Sequence, residues 1–171
     1  MPSGKLWSDR NIGAAGAEGV GLYFVWGEIE GYKDAADRNA KLGRSGGFDA
    51  GAYSATGAST ITTSLNASND AAVQNLGNGW KMPTKVDFEE MRDNTNKEWV
   101  AVNGVYGKKF TNKNDSSKYI FIPASGYYEN NTLVNKNQKG YALSTTFSDN
   151  RGYKLEADMY NAYLVLYTPE K

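Results

Sequence analysis

Four acidic residues, Glu28, Glu30, Asp34 and Asp37, are the part of the sequence in which paired carboxylates could do chemistry. Two carboxyl groups on either side of a glycosidic bond can hydrolyse it, one as the acid and the other as the base or nucleophile. These four residues follow an apolar segment and enter an early loop, where acidic side chains are commonly solvated. We therefore expect them to be surface groups, and we predict that the chain is not an enzyme.

Histidine and cysteine are both absent from the sequence. Histidine is the commonest general base and a frequent metal ligand, while cysteine supplies thiolate nucleophiles, disulfides and zinc ligands. Neither kind of chemistry is open to the side chains of this chain. The Gly-rich residues 43–47 lack the Gly-Lys-Ser/Thr ending of a phosphate-binding P-loop, so they are predicted to form a turn-rich loop. No cofactor is expected.

Length and charge indicate one domain without a polyanionic partner. The chain has 171 residues, which suits a single domain with its own core, and no internal repeat or linker divides it. Lys plus Arg and Asp plus Glu both number 19, so we expect no nucleic-acid partner and no membrane insertion. Residues 1–5 lack the apolar part of a signal peptide. The chain is expected either to act without secretion through such a signal or to come from a longer parent.

Tyrosine and asparagine crowd the second half of the chain. Nine of the 12 Tyr lie from Tyr106 onward, and the densest clusters are residues 127–131 and 147–153. Tyr gives a large contact area at low cost in conformational entropy and Asn gives adaptable hydrogen bonds, a mixture typical of antibody recognition surfaces. The alternative is that these residues merely suit turns and half-buried strands.

Residues 70–91 are predicted to form the scaffold that positions these clusters. Ser68 or Asn69 is expected to cap a first short helix with an apolar face at Ala72, Val73 and Leu76, ended by Gly77. Residues 79–83 should be extended, because the residue before a proline avoids the α region. Trp80, between the two helices, is predicted to be buried.

The second helix of this scaffold has a recognisable start and a clear apolar stripe. Thr84 is expected to cap it, with Asp87 completing a weaker form of the capping box. Phe88 and Met91 form its apolar stripe, and the helix should end near residues 94–96.

The remaining elements are predicted from apolar runs and turn residues. Residues 35–42 are a possible short helix, and residues 43–63 a long ordered loop that Phe48 and Tyr53 could anchor. Asn103-Gly104 is a turn dipeptide within a connection that runs on through Gly107. Strands are predicted for residues 6–12, 22–26, 99–102, 108–111, 119–123, 141–147 and 162–167, the last two central in a sheet.

Six segments of the chain carry a resemblance to a known family. In chain order they are residues 4–14 (GKLWSDRNIGA), 21–28 (GLYFVWGE), 70–91 (DAAVQNLGNGWKMPTKVDFEEM), 103–107 (NGVYG), 120–127 (IFIPASGY) and 140–144 (GYALS). Together they resemble the FISUMP-type (major paralogous) domains of gut bacteria and their phages. The resemblance implies an α+β, C-type-lectin-like fold with short antiparallel strands, two short helices and long ordered loops. Relatives usually end with a further strand that closes on the first. Here either residues 162–167 take that role or the N-terminal strand is partly unpaired.

The resemblance also implies a ligand-binding surface in the C-terminal third, where retroelement-diversified relatives place variable residues that grip partners. The matching positions are Tyr127, Tyr128, Asn130, Asn131, Tyr141, Thr145, Phe147, Asp149, Asn150, Arg151 and Tyr153. The long-loop calcium signatures of true C-type lectins are absent, and Asp149-Asn150 or Asn114-Asp115 supply far fewer than the roughly six to eight ligands that calcium takes. Formylglycine-generating enzymes share the broad fold class, but they need cysteines.

The expected function is therefore recognition without catalysis and without a metal. The module would bind a protein or a glycan on a partner surface, as a phage receptor-binding or bacterial adhesion domain, on a virion or at an extracellular surface. The alternative is a structural decoration or assembly protein of a virion or surface fibre. Homo-oligomers or larger assemblies are compatible with both.

Overall fold

A computed structural model describes residues 1–43, 61–77, 79–129 and 131–167 of the chain. These residues form a mixed α+β structure with three short helices and three small antiparallel sheets. The helices are α1 (Ala35–Lys41), α2 (Ala71–Leu76) and α3 (Lys85–Asn94). The strands are β1 (Thr95–Val102), β2 (Val105–Asn112), β3 (Tyr119–Pro123), β4 (Tyr127–Glu129), β5 (Thr132–Val134), β6 (Lys139–Ser148), β7 (Arg151–Asp158) and β8 (Ala162–Tyr167).

Three helices are described where the resemblance implied two, because α1 forms over the residues that were only a possible helix. Most of the predicted loop at residues 43–63, including Phe48 and Tyr53, lies outside the described residues.

The first sheet has the order β1-β2-β3, and its first hairpin is tighter than predicted. Val102 pairs with Val105, so the connection is the two residues Asn103 and Gly104 and does not extend to Gly107. Their φ values of 47° and 82° are both left-handed, as a type I′ turn requires. Asn tolerates this conformation and Gly adopts it freely, so the dipeptide closes the hairpin by itself.

The third sheet has the order β6-β7-β8, with β7 in the centre. The prediction that residues 141–147 and 162–167 occupy the centre is wrong, because both strands flank β7, which was not predicted. Polar and apolar residues alternate along β7, and it buries Leu155 and Ala157 on one face. Only every second residue of such a strand is apolar and buried. A search for continuous apolar runs therefore misses it.

The N-cap of helix α2 is Asp70, and the prediction that Ser68 or Asn69 caps it is wrong. The Asp70 carboxylate accepts hydrogen bonds from the backbone N–H groups of Ala72 at 2.8 Å and Val73 at 3.1 Å. It also accepts from the N–H of Met82 at 3.0 Å, which holds the connection after α2 beside the helix. Because Asp70 directly precedes the helix, its one carboxylate can accept hydrogen bonds from the first turn of α2 and from Met82 in the segment after the helix. The predicted extended segment starts later than residue 79, because Gly79 is in a turn with a φ of 107°.

Helix α3 and the core confirm the predictions for that part of the chain. Thr84 and Asp87 form a complete capping box, and the helix ends at Asn94. Phe88 and Met91 are buried between the helix and the sheets. The core cluster consists of Phe88, Met91, Phe110, Ile122, Leu155 and Ala157.

Trp80 is 42% exposed, so the prediction that it is buried is wrong. It lies in the connection between α2 and α3, and connections run over the surface because their backbone polar groups need water or other partners. The buried tryptophan is Trp26, which is 1% exposed and donates from Nε1 to the carbonyl of Ser144 at 2.7 Å.

The N-terminal segment, residues 1–34, does not form the two strands that were predicted at residues 6–12 and 22–26. Its one ladder contact in the described structure is an isolated bridge between Tyr23 and Tyr32. Side chains attach it to α3 instead, since Ser3 Oγ donates to a carboxylate oxygen of Glu90 at 2.7 Å. An ion pair between Lys5 and Asp87 adds a second link. Apolar runs broken by turns give too few consecutive residues for a ladder.

Candidate ligand-binding cleft

The β4–β5 hairpin carries two adjacent tyrosines into contact with the rest of the domain. Tyr128 packs edge-to-face on Tyr23, with ring centroids 4.9 Å apart. Tyr127 packs in the same manner on Tyr141, with centroids 5.2 Å apart. Such pairs contribute about 0.5–1.5 kcal/mol beyond the burial of area, so they hold the rings in defined positions. We call Tyr23, Tyr127, Tyr128 and Tyr141 the tyrosine cluster.

Gly126 directs the chain from β3 into this hairpin. Its φ of +66° is left-handed, and a Cβ at this position would collide with the carbonyl oxygen of Val134. The N–H of Gly126 donates to the carbonyl of Lys139 at 3.0 Å, which joins the hairpin to β6. A glycine is therefore required where the two tyrosines are positioned.

Lys154 lies beneath the pair formed by Tyr127 and Tyr141. Its Nζ is 5.0 Å from the centroid of the Tyr141 ring and 5.5 Å from that of Tyr127, both within the range of a cation–π contact. Glu156, two residues along β7, accepts from Lys154 at 3.1 Å and lies 3.5 Å from Lys139 Nζ. Two ammonium groups thus share one carboxylate beside the aromatic rings.

Helix α1 contacts the β4–β5 hairpin through a side chain. Asn39 Nδ2 donates to Asn131 Oδ1 at 3.3 Å, which links the helix to the β4–β5 turn. Asp34 caps the helix, and its side chain accepts from the N–H of Asp37 at 2.8 Å. Both Asp34 and Asn39 line the same cleft as the tyrosine cluster.

The cleft has a volume of about 840 Å³. It is lined by the whole tyrosine cluster and continues along the N-terminal segment and residues 79–83. Around the cluster the other lining residues include Asp34, Asn39, Asn131, Leu143 and Lys154. A cavity of roughly 300–1,000 Å³, mostly aromatic or apolar with a few convergent polar groups, is the usual form of a ligand site.

The phenols of Tyr23, Tyr128 and Tyr141 keep their protons at neutral pH. Burial, with the nearby Tyr128 phenol as the second cause, raises the pKa of Tyr23 to about 12. Burial also raises the pKa of Tyr128 and that of Tyr141. For Tyr141 a hydrogen bond from Asn135 at 3.0 Å opposes the effect of burial, but the net shift is still upward. These groups can therefore donate and accept hydrogen bonds, and they are poor general bases.

No family model, curated protein or solved structure matches the chain. What the site can do follows from its own geometry. In the described residues no group of three or more acidic side chains converges on a point where a metal ion could bind. No helix in the described ranges is long and apolar enough to cross a membrane.

Four of the eleven sequence-predicted residues meet at the cleft: Tyr127, Tyr128, Asn131 and Tyr141. Asn130, which belongs to the same predicted set, lies outside the described residues. The first three come from one hairpin and Tyr141 comes from β6, so the sequence clusters alone could not show their contact.

The other six predicted residues do not join them. Thr145 is buried, and its backbone bonds to Pro83 and Leu65. Phe147 stacks on Trp26 with centroids 5.5 Å apart. Tyr153 lies on the opposite face of β7 from Lys154, where Lys85 of α3 covers its ring at 4.8 Å. The eleven residues therefore do not share one face.

Asp149, Asn150 and Arg151 lie at the tip of the β6–β7 hairpin. Ser148 pairs with Arg151, so Asp149 and Asn150 are the two residues of the turn, with φ values of 52° and 59°. Turn geometry fully accounts for an Asp and an Asn at these positions. All three side chains are exposed.

Sequence reasoning missed Tyr23, Asn39, Lys154 and Glu156. Tyr23 was placed in a strand and Asn39 in a helix, without any sign of a site. The alternation Tyr153-Lys154-Leu155-Glu156-Ala157 was the available signal for the other two. It predicts a strand with one polar and one apolar face, and a Lys and Glu two residues apart on the polar face.

Glu28 departs from the expectation of solvated acids. It is 6% exposed, and its carboxylate accepts from Arg38 NH2 at 2.7 Å and from the Tyr32 hydroxyl at 2.9 Å. Burial and this carboxylate both raise the pKa of Tyr32. A buried carboxylate requires such compensation, and α1 provides it through Arg38.

The other three acids have structural partners as well. Glu30 lies 3.0 Å from Lys41 Nζ, and Asp37 accepts from the N–H of Lys33 at 2.9 Å. Of these acids, only Asp34 lines the cleft. Their partners are those of a helix cap and of ion pairs.

Proposed function

We propose that this chain is a non-enzymatic recognition module that binds a protein segment or a glycan on a partner surface. The site is the cleft at the tyrosine cluster, with Lys154, Asn131 and Asn39 as the polar groups that orient the ligand. The finer fold description, C-type-lectin-like, and the setting on a virion or another extracellular surface belong to the same proposal. They are supported by the six sequence segments that resemble FISUMP-type domains.

The observation that carries the proposal is the convergence of four tyrosine rings on one cleft of about 840 Å³. Each ring is held by another ring, and Lys154 fixes two of them from below. Little side-chain entropy remains to be lost when a ligand binds, so more of the contact energy appears as affinity. Tyr rings with neutral hydroxyl groups offer apolar contact and hydrogen bonding in one side chain.

The test compares three forms of the full chain on a glycan array and in pull-downs with host surface proteins. The wild type should bind, and Tyr128→Ala should lose binding. Tyr160→Ala is the matched control, because Tyr160 is 83% exposed in the connection between β7 and β8, outside the lining of the cleft. Circular dichroism of each variant checks that the fold is kept.

The outcomes separate the proposal from its alternatives. Equal binding by all three forms would place the site outside the cleft. A wild type that binds no glycan and no host protein, yet self-assembles through Tyr128, would favour a structural decoration protein. Selective loss in Tyr128→Ala supports the cleft, and the array or the pull-down then identifies the class of ligand.

A further inference from the structure

A second cavity lies between the first sheet, the end of α3 and the turn that joins β7 to β8. Its volume is about 420 Å³, and among the described residues it shares no lining residue with the cleft at the tyrosine cluster. Lys97 and Trp99 of β1 and Lys108 of β2 line it from the sheet. Trp99 pairs directly with Lys108, and Lys97 comes two residues before Trp99, so all three side chains leave the same face of the sheet.

Lys108 brings a buried ammonium group to this cavity. The residue is 4% exposed, and its Nζ donates to the carbonyl oxygens of Asp158 at 3.0 Å and Met159 at 3.3 Å. An ammonium group has three N–H donors, so the described partners leave one of them over. A carbonyl oxygen carries only a partial charge, and a buried cation is costly without a full counter-charge. Since a neutral donor could hold the turn as well, the two bonds alone do not explain a lysine here.

Lys97 is a second cation at the same cavity. Its Nζ donates to the carbonyl oxygens of Arg92, in the last turn of α3, and of Thr95. Burial lowers the pKa of Lys108, the Asp158 carboxylate opposes this effect, and the charge of Lys97 adds to it. The two ammonium groups are therefore close enough to repel each other.

The carboxylates near the cavity already have other partners. Asp93 pairs with the adjacent arginine at 2.7 Å, and Glu98 pairs with a lysine of β2 at 3.6 Å. Asp158 accepts from N–H groups of its own turn at 2.7 and 2.9 Å. In the described part of the chain, Lys97 and Lys108 bond to carbonyl oxygens and form no ion pair. Three cationic and two acidic side chains line the cavity, so one further negative charge would balance them.

We propose that this cavity binds a small organic monoanion. The carboxylate or sulfate group of the ligand accepts hydrogen bonds from Lys97 and Lys108, and the ring or aliphatic body of the ligand lies against Trp99. Hydrogen bonds between charged groups are about twice as strong as neutral ones. A cavity of roughly 300–1,000 Å³ is the usual size for a small ligand. The site goes beyond the recognition proposed for the cleft and does not rest on it.

The test is an NMR titration of the full chain at constant ionic strength. The anionic probes are benzoate, glucuronate and a glucose sulfate ester, and benzamide and glucose are their neutral counterparts. At least one anion should shift the indole N–H resonance of Trp99 and the amide resonances of Lys97 and Lys108 until they saturate. The neutral counterparts should leave these resonances in place. Comparison of the three anions distinguishes a carboxylate from a sulfate ester, and an aromatic body from a sugar.

Variants of the two lysines locate the site. Lys97→Gln removes an exposed charge and keeps a polar side chain, so it should fold and raise the Kd of the anion by about tenfold. Lys118→Gln is the matched control, because it removes the same charge from the β2–β3 turn, outside the lining of the cavity, and should leave the Kd unchanged. Lys108→Met removes the buried ammonium group and should abolish saturation. Amide resonances outside the cavity check that this last variant keeps its fold.

Three results would overturn the proposal. The first is a wild type in which no anionic probe gives saturable shifts at up to about 50 mM. The second is a neutral counterpart that shifts the same resonances as strongly as its anion. The third is an equal Kd for Lys97→Gln and Lys118→Gln, because the anion would then bind at another surface.

Discussion

The indole of Trp26 stacks against the ring of Phe147, with centroids 5.5 Å apart and ring planes 27° apart. This contact attaches the N-terminal segment to the third sheet. The indole also lies over Gly152 of β7, the residue that pairs with Phe147 across the strands. Since Tyr23 is three residues away from Trp26 in the chain, the stack helps to hold one wall of the tyrosine cluster.

Gly152→Ala should destabilise the protein by about 1–3 kcal/mol, as overpacking of a filled site does. A Cβ at this position would lie 2.7 Å from Trp26 Cε2 and Nε1, so the indole would have to move. Urea unfolding measures the change. Gly16→Ala is the control, because its Cβ would meet only the terminal carboxylate of Glu18 at 3.0 Å. An unchanged midpoint in Gly152→Ala would mean that the indole does not occupy this place.

The two tryptophans should differ strongly when truncated. Trp26→Ala removes a buried side chain and should cost about 3–5 kcal/mol of unfolding free energy. Trp80→Ala removes a side chain that is 42% exposed and should cost about 1 kcal/mol or less. Denaturant titrations of both variants provide the comparison. A larger loss for Trp80 than for Trp26 would contradict the assignment of the core.

Stability should fall above pH 10 in part because of Tyr23. Its pKa is raised from an ordinary value of 10 to about 12, so the folded state keeps a proton that the unfolded state loses. More protons bound in the folded state means that the unfolding free energy decreases as pH rises through this window. After allowance for solvent screening, the contribution is about 1 kcal/mol.

Tyr23→Phe isolates this effect, since it keeps the ring and removes the titrating group. It also removes the hydrogen bond to Ser125, so it should be less stable at pH 8 by about 1 kcal/mol. Its stability should then fall less than that of the wild type between pH 10 and 12, measured by urea unfolding at each pH. An identical slope in both proteins would count against the raised pKa.

Folding should not require a metal ion. The sequence has no His or Cys, and no acidic cluster suited to a metal occurs among the described residues. Thermal melts with and without EDTA should overlay, and addition of calcium after EDTA should also leave the melting temperature unchanged. A clear decrease in the melting temperature on chelation would disprove this prediction.

Binding should distinguish the cleft from the β6–β7 hairpin tip. The truncation Tyr128→Ala removes a ring of the cluster and should weaken binding by about 2 kcal/mol, or roughly 30-fold. Arg151→Ala removes an exposed side chain outside the cleft lining and should leave the affinity unchanged. Titration calorimetry with the ligand found on the array or in the pull-down measures both. The reverse ranking would move the site to the hairpin tip.

Local signals in the sequence were sufficient for much of the scaffold. The capping box at Thr84, the end of the helix at Asn94 and the strand bounds Tyr119–Pro123 and Ala162–Tyr167 follow from short-range patterns and are all present. The turn dipeptide Asn103-Gly104 is present too, although the connection that was predicted to run on through Gly107 is only these two residues. Each depends on contacts between residues that are close in the chain, so the residue types there are enough to define them.

Only the tertiary structure decided which residues share a surface. Alternation along β7 places Tyr153 beneath α3 and Lys154 beneath the tyrosine cluster, although the two are neighbours in sequence. Tyr23 contacts Tyr128 although more than a hundred residues separate them in the chain. Trp26 is buried and Trp80 is exposed because of contacts with residues that are distant in sequence. These outcomes depend on which strands pair and which loops cover them. Such long-range choices minimise the free energy of the whole chain, and no short window of sequence contains them.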